Sequence, residues 1–198
     1  MERPSRQFLL LHGVEHHKPP GHWLYQLAEH LRGRGERVSY PQLPDADEPS
    51  VERWLQTLAS ELAALDGGER VVVCHSLGCL LWLHHCVRAT PAQQVDRVLL
   101  VAPPSPGVLW PAVESFRPPA VSPGALAAAA RSGIRLVCSD QDPYCPEGAR
   151  ALFAHPLELE FDLISGGGHL SEVDGYGPWP SMTAWCLEPA ERLCANAI

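Results

Sequence analysis

The stretch "RVVVCHSLGCLL", residues 70–81, decides how this chain is read. Three valines, 71–73, run into a histidine, a serine and a glycine, and an apolar segment follows at once. A buried strand that passes into a buried helix without a loop places Ser76 on a tight turn. Either the serine simply opens the helix, or its hydroxyl is a nucleophile lifted above the end of a sheet. A lone serine hydroxyl is a weak nucleophile near neutral pH. It needs a base, a group that orients the base, and donors for the developing oxyanion. The second reading therefore requires partners elsewhere in the chain.

Outward from this stretch, apolar runs alternate with helix-length segments. Residues 7–13, 37–43, 70–75, 97–102, 134–139 and 157–164 read as six strands. Residues 21–33, 51–65, 77–88, 125–131 and 147–154 read as helices, and 179–196 as a helix broken near Pro189. Ser50 is placed to cap the second helix. Strand–helix alternation implies right-handed crossovers and a parallel sheet covered on both faces. "FLLL", "VVV" and "VLLV" are continuously apolar, as central strands are. "LELEFDLI" sets Leu157, Leu159, Phe161 and Leu163 against Glu158, Glu160 and Asp162, the pattern of an edge strand with one wet face. The expected fold is α/β, a compact three-layer sandwich with strand order 2-1-3-4-5-6 and helices on both faces, in one domain over 1–198. The proline-rich stretch 103–124, with exposed-looking Trp110 and Phe116, follows strand four and is either a surface connection or a substrate-facing loop.

Composition narrows the function. With 15 basic and 23 acidic residues and no Lys/Arg cluster, the chain suits neither nucleic acid nor an anionic membrane. No segment approaches the roughly 18 consecutive apolar residues of a membrane span, and the first apolar run is too short for a secretory signal. Cysteines 74, 79, 86, 138, 145, 186 and 194 form no C-x-x-C pair, so free thiols in a reducing cytoplasm are expected. The adjacent pairs His16-His17 and His84-His85 lack metal-site spacing, and neither metal nor cofactor is expected.

Residues 74–78 match the nucleophile elbow G-x-S-x-G, with Cys74 in place of the first glycine. Positions two before and two after the serine must be small because the turn brings them together. Gly78 meets this and Cys74 is a small substitute. The Leu77 N–H, at a helix N-terminus, is one expected oxyanion donor. The Val14 N–H, after "HG" at the end of strand one, is the other. Among ten histidines, His169 stands at the carboxyl end of strand six in "GGGHLS". His155 lies before that strand, His75 points away in an elbow, His84 and His85 are within a helix, and His12, His16, His17, His22 and His30 come early, where one could line the pocket. The acid should follow strand five, where "CSDQDPYCP" offers Asp140 and Asp142. Asp142, further along the loop, is preferred, giving the order Ser76, Asp142, His169.

"VVVCHSLGCLL", "SDQDPYCP" and "GGGHLSEVDGYGPWP" together resemble the small α/β-hydrolases grouped with retinoblastoma-binding protein nine and its bacterial YdeN-like relatives. "GYGPWP" is the most specific of these matches; "LLLHGVEHHKPPGHW" is looser. The resemblance spans most of the chain. It implies a compact hydrolase without a large lid, with Ser76, Asp142 and His169 as its triad and carboxylesterase activity. The expected activity is that of a serine hydrolase on small acyl esters. An amidase or peptidase on the same triad, or a binding protein with incidental esterase activity, are the alternatives. Trp110, Tyr144 and Trp179 are candidate pocket walls. The expected partner is a small-molecule ester or amide.

Overall fold

The computed structural model describes residues 6–196; residues 1–5 and 197–198, the ends of the expected 1–198 domain, lie outside it. Six strands, Arg6–Leu11 (β1), Arg37–Ser39 (β2), Glu69–His75 (β3), Arg97–Val101 (β4), Ile134–Ser139 (β5) and Glu160–Ile164 (β6), form one sheet in the order β2-β1-β3-β4-β5-β6. Every neighbouring pair is parallel. The α-helices are Trp23–Gly33 (α1), Val51–Ala64 (α2), Leu77–Cys86 (α3), Pro123–Ala129 (α4) and Pro180–Leu187 (α5).

The continuously apolar strands are explained by two cores. Alternate residues point to opposite faces of a sheet. Phe8, Leu10, Val71, Val73, Leu99 and Val101 meet Trp23, Leu24 and Leu27 of α1 and Met182 and Trp185 of α5. Leu9, Leu11, Val72, Cys74, Val98 and Leu100 meet Trp54 and Leu58 of α2, Leu126 of α4 and the whole length of α3. All ten residues of α3 are buried, which is why it shows no amphipathic pattern. The three layers follow directly from this division.

Local details depart from the sequence reading in ways that packing accounts for. The last strand begins at Glu160, and its alternation is reversed at the core: Asp162 is buried and Leu163 is 45% exposed. Asp162 is covered by the C-terminal segment, accepting the Leu193 N–H at 3.1 Å and pairing with Arg192. Leu157 and Leu159 instead pack, half-buried, from a turn ahead of the strand. The expected helix 147–154 contracts to a π-helical turn over Arg150–Ala154. The last helix stops at Leu187, two residues before Pro189, and does not resume. Ser50 holds the N-cap position of α2 without a side-chain cap bond; the Val51 N–H donates to Ser115 Oγ at 3.4 Å instead. Phe116 is fully buried, edge-on to Trp54 at 4.9 Å, so the proline-rich segment is anchored to the core. No described helix is long and apolar enough to cross a membrane, and none of the seven cysteines is paired.

α3 enters against the end of β1. A Cβ on Gly78 would stand 2.7 Å from the Leu11 carbonyl oxygen and 2.9 Å from that of His12. Both are backbone atoms at the end of a central strand and cannot swing aside. Gly78→Ala is expected to lower unfolding free energy by about 1–3 kcal/mol or more. Gly33→Ala, with open space around its Cβ, is expected to be neutral or to add up to about 1 kcal/mol. Urea denaturation of both variants measures the contrast, and an equal effect at the two positions would contradict this account.

Candidate active site

Ser76 has φ 54° and ψ −124°, a left-handed conformation that costs a non-glycine residue on the order of 1–3 kcal/mol. It is pinned from both sides. Its N–H donates to the Val101 carbonyl at 2.9 Å, and its carbonyl accepts the Cys79 N–H at 2.9 Å. Cys74 lies beneath the turn with no exposure, in register with Leu11 on one side and Leu100 on the other. Cys79 Sγ closes the turn by donating to the carbonyls of Cys74 and Val101. Burial among other thiols pushes the Cys74 thiol well up, so it stays protonated.

The turn lifts Ser76 Oγ to 2.9 Å from His169 Nε2. His169 Nδ1 lies 2.9 Å and 3.0 Å from the two carboxylate oxygens of Asp142. Asp142, buried in the loop after β5, also accepts the Tyr144 N–H at 2.9 Å. With Nδ1–H donating to the carboxylate, Nε2 carries the lone pair that faces the serine hydroxyl. Asp140 is elsewhere. It accepts from Ser165 Oγ and the Gly166 N–H at 2.7 Å each and ties β5 to the loop after β6. The structure therefore brings together Ser76, His169 and Asp142 and leaves Asp140 out.

Side chains rather than secondary structure hold His169. It lies between Gly168 (φ 58°) and Leu170 (φ 52°). Its N–H donates to Asp174 Oδ2 at 3.0 Å, and the same oxygen accepts from the Ser171 N–H at 3.1 Å and hydroxyl at 2.6 Å. Its carbonyl accepts from His75 Nε2–H at 3.1 Å. Sequence reasoning missed both clamps. Ser171-x-x-Asp174 is a legible capping pattern; the role of His75 depends on two loops meeting and leaves no local signal.

A cleft of about 500 Å³ opens over Ser76. Val14, Leu77, Val108, Leu109, Val113 and Trp110 line one part, and Glu15, His16, His22, His75 and Asp174 another. The proline-rich segment is thus part of the cleft wall. The end of β1 lies close to the turn, since a Cβ on Gly13 would be 2.8 Å from Ser76 Cβ and 3.4 Å from the Leu77 nitrogen. The N–H groups of Val14 and Leu77 have no acceptor among the described residues. Trp110 lines the cleft, and Tyr144 lies with its ring 4.6 Å from that of His169. Trp179 is placed differently from the expectation. It is 4% exposed, outside the cleft, wedged against Trp23 and Tyr176, with Nε1–H donating to the Cys194 carbonyl at 2.8 Å. The proline after it starts α5, which carries it into the core.

Leading to His169, buried imidazoles form a chain of rings: His12 to His16 at 5.0 Å, His16 to His22 at 4.6 Å, His22 to His75 and His75 to His169 at 5.1 Å each. They meet stacked, tilted or edge-on, and no group of three or more His, Cys, Asp or Glu among the described residues is placed to hold a metal ion. Loss of hydration lowers His12 and His22 to about 4 and His16 to about 2, and drives His75 well down. These groups stay neutral in the folded chain while their unfolded counterparts protonate below about pH 6.5. The unfolded state then binds more protons, so stability falls as pH drops from about 6.5 towards 4. The urea midpoint is expected to fall over this window. His16→Phe should flatten the dependence by about 1.4 kcal/mol per pH unit. A profile unchanged by the substitution would contradict the assignment.

The model of the serine hydrolase family matches residues 8–187, from β1 to the end of α5. No curated protein matches the chain. Among solved structures, the product of the ydeN gene of B. subtilis superposes with a TM-score of 0.75 at 21% identity, over 91% of this chain and 96% of that one. A protein described as a YdeN-like hydrolase from Pectobacterium atrosepticum gives 0.72 at 19%, over 92% and 90%. A methylesterase from Arabidopsis gives 0.63 at 13%, over 92% and 98%. At these identities the structural likeness is one of fold, and it agrees with the sheet order and the helices around it. The family match, which covers nearly all of the described chain, carries the assignment: this chain belongs to the serine hydrolase family.

Proposed function

We propose that the protein hydrolyses small acyl esters through Ser76, His169 and Asp142 by way of an acyl-enzyme. The observation that carries this reading is the 2.9 Å approach of Ser76 Oγ to His169 Nε2 in an open cleft. As Oγ attacks the acyl carbonyl, His169 takes its proton. Asp142, accepting at Nδ1, holds the tautomer and stabilises the imidazolium. The Leu77 and Val14 N–H groups donate to the tetrahedral oxyanion. His169 then protonates the departing alkoxide oxygen. Water, deprotonated by the same nitrogen, releases the acid and restores Ser76. Membership of the serine hydrolase family supports the nucleophile, and the cleft of about 500 Å³, with Val108, Leu109 and Val113 in its wall, suits a small apolar acyl group.

A fluorophosphonate probe should label the wild type at Ser76 and fail to label Ser76→Ala. Asp142→Asn is expected to lower kcat for p-nitrophenyl acetate by about 10³–10⁴-fold while the fold is retained. Absence of labelling in well-folded wild type would overturn the proposal. Faster cleavage of aminoacyl anilides than of p-nitrophenyl acetate would replace the esterase by an amidase.

A further inference from the structure

The cleft has a polar side that the triad leaves unused. His22 occupies the N-cap of α1, where its Nδ1 accepts the Leu24 N–H at 3.1 Å. The ring is buried and neutral, so its proton is on Nε2. His75 is the complementary case. Its Nε2–H is spent on the His169 carbonyl, which leaves Nδ1 with a lone pair. Neither His22 Nε2 nor His75 Nδ1 has a partner among the described residues, and neither is among the polar atoms sealed from solvent without one. Both side chains line the cleft with Ser76, and their rings are 5.1 Å apart.

One residue with a free donor and one with a free acceptor therefore share the cleft wall with Ser76. No lysine or arginine is in the cleft wall, where Glu15 and Asp174 are the acidic residues. A carboxylate or phosphate would find no cation there. An uncharged group that both donates and accepts would satisfy both nitrogens at once.

We infer that His22 and His75 form a subsite for an uncharged hydroxyl or carboxamide group of the substrate, beside the scissile ester. This rests on Ser76 being the nucleophile. A substrate lacking such a group leaves a desolvated donor and acceptor unpaired, which is worth about tenfold in kcat/KM.

The test compares propyl butyrate with 2-hydroxyethyl butyrate, in which a hydroxyl replaces the terminal methyl, and with propyl 3-hydroxybutyrate, which carries the hydroxyl on the acyl side. The charged 3-butyryloxypropanoate completes the panel. One hydroxylated ester should exceed propyl butyrate by about tenfold in kcat/KM, chiefly through KM, and the charged ester should be poorer than either hydroxylated one. His22→Asn keeps an N-cap acceptor for Leu24 but withdraws the Nε2–H, and the hydroxyl preference should shrink to within about twofold. Labelling by fluorophosphonate is read in parallel. A labelled wild type that cleaves propyl butyrate as fast as both hydroxylated esters overturns the subsite and leaves the hydrolase standing. Preference for the charged ester, or a hydroxyl preference that persists in His22→Asn, overturns the subsite in the same way. An unlabelled, inactive wild type overturns both. The wild-type panel decides the matter even where His22→Asn fails to fold.

Discussion

The contact between the start of α3 and the end of β1 is the constraint on which the rest of the molecule depends. Gly78 sits directly against two carbonyl oxygens at the end of β1, and Gly13 sits against Ser76. With both side chains absent, α3 comes close enough to the sheet for Ser76 to be forced into a left-handed turn. The burial of the whole of α3 offsets that local cost, because each large apolar side chain removed from water contributes about 1.5–3 kcal/mol. The register of β1 with β3 then sets where the Val14 and Leu77 amides stand relative to the hydroxyl. One close approach thus governs strain, position and surroundings of the same residue.

The histidine side of the site is organised on another basis. β6 is short, and the loop after it runs through several left-handed residues, so the backbone alone gives His169 no fixed place. Its position comes from three separate parts of the chain: Asp142 after β5 on the ring, and Asp174 and His75 on the backbone. His75 belongs to the strand that leads into Ser76, so the two loops that carry Ser76 and His169 are joined by a hydrogen bond separate from the one between their side chains. The neighbouring imidazoles are held neutral by burial, which keeps positive charge away from the His169 ring.

Much of this was legible in the residues, and what was not has physical reasons. The strand order and the two-faced cores followed from continuous apolar runs. The convergence of Ser76, Asp142 and His169 followed from their places at strand ends. Periodicity misled at Leu163, because the face expected to be wet is covered by the C-terminal segment, and the pairing of Arg192 with Asp162 spans residues far apart in sequence. Trp179, a candidate cleft wall by sequence, lies in the core instead, because the next residue opens a helix that turns it inwards. Which nitrogen of His22 and of His75 is left free depends on which one is already engaged, and no spacing in a sequence carries that information.

The burial of the thiols has a practical consequence. Six of the seven are enclosed, and burial pushes all six up, which suppresses the thiolate that alkylating reagents and oxidants attack. Cys194 alone is exposed, and it lies outside the cleft on the segment that receives Trp179 and Ser181 at its carbonyl. The native chain therefore offers a single address for a thiol-directed fluorophore or surface tether. Immobilisation through it would orient every molecule alike and leave the cleft unmodified.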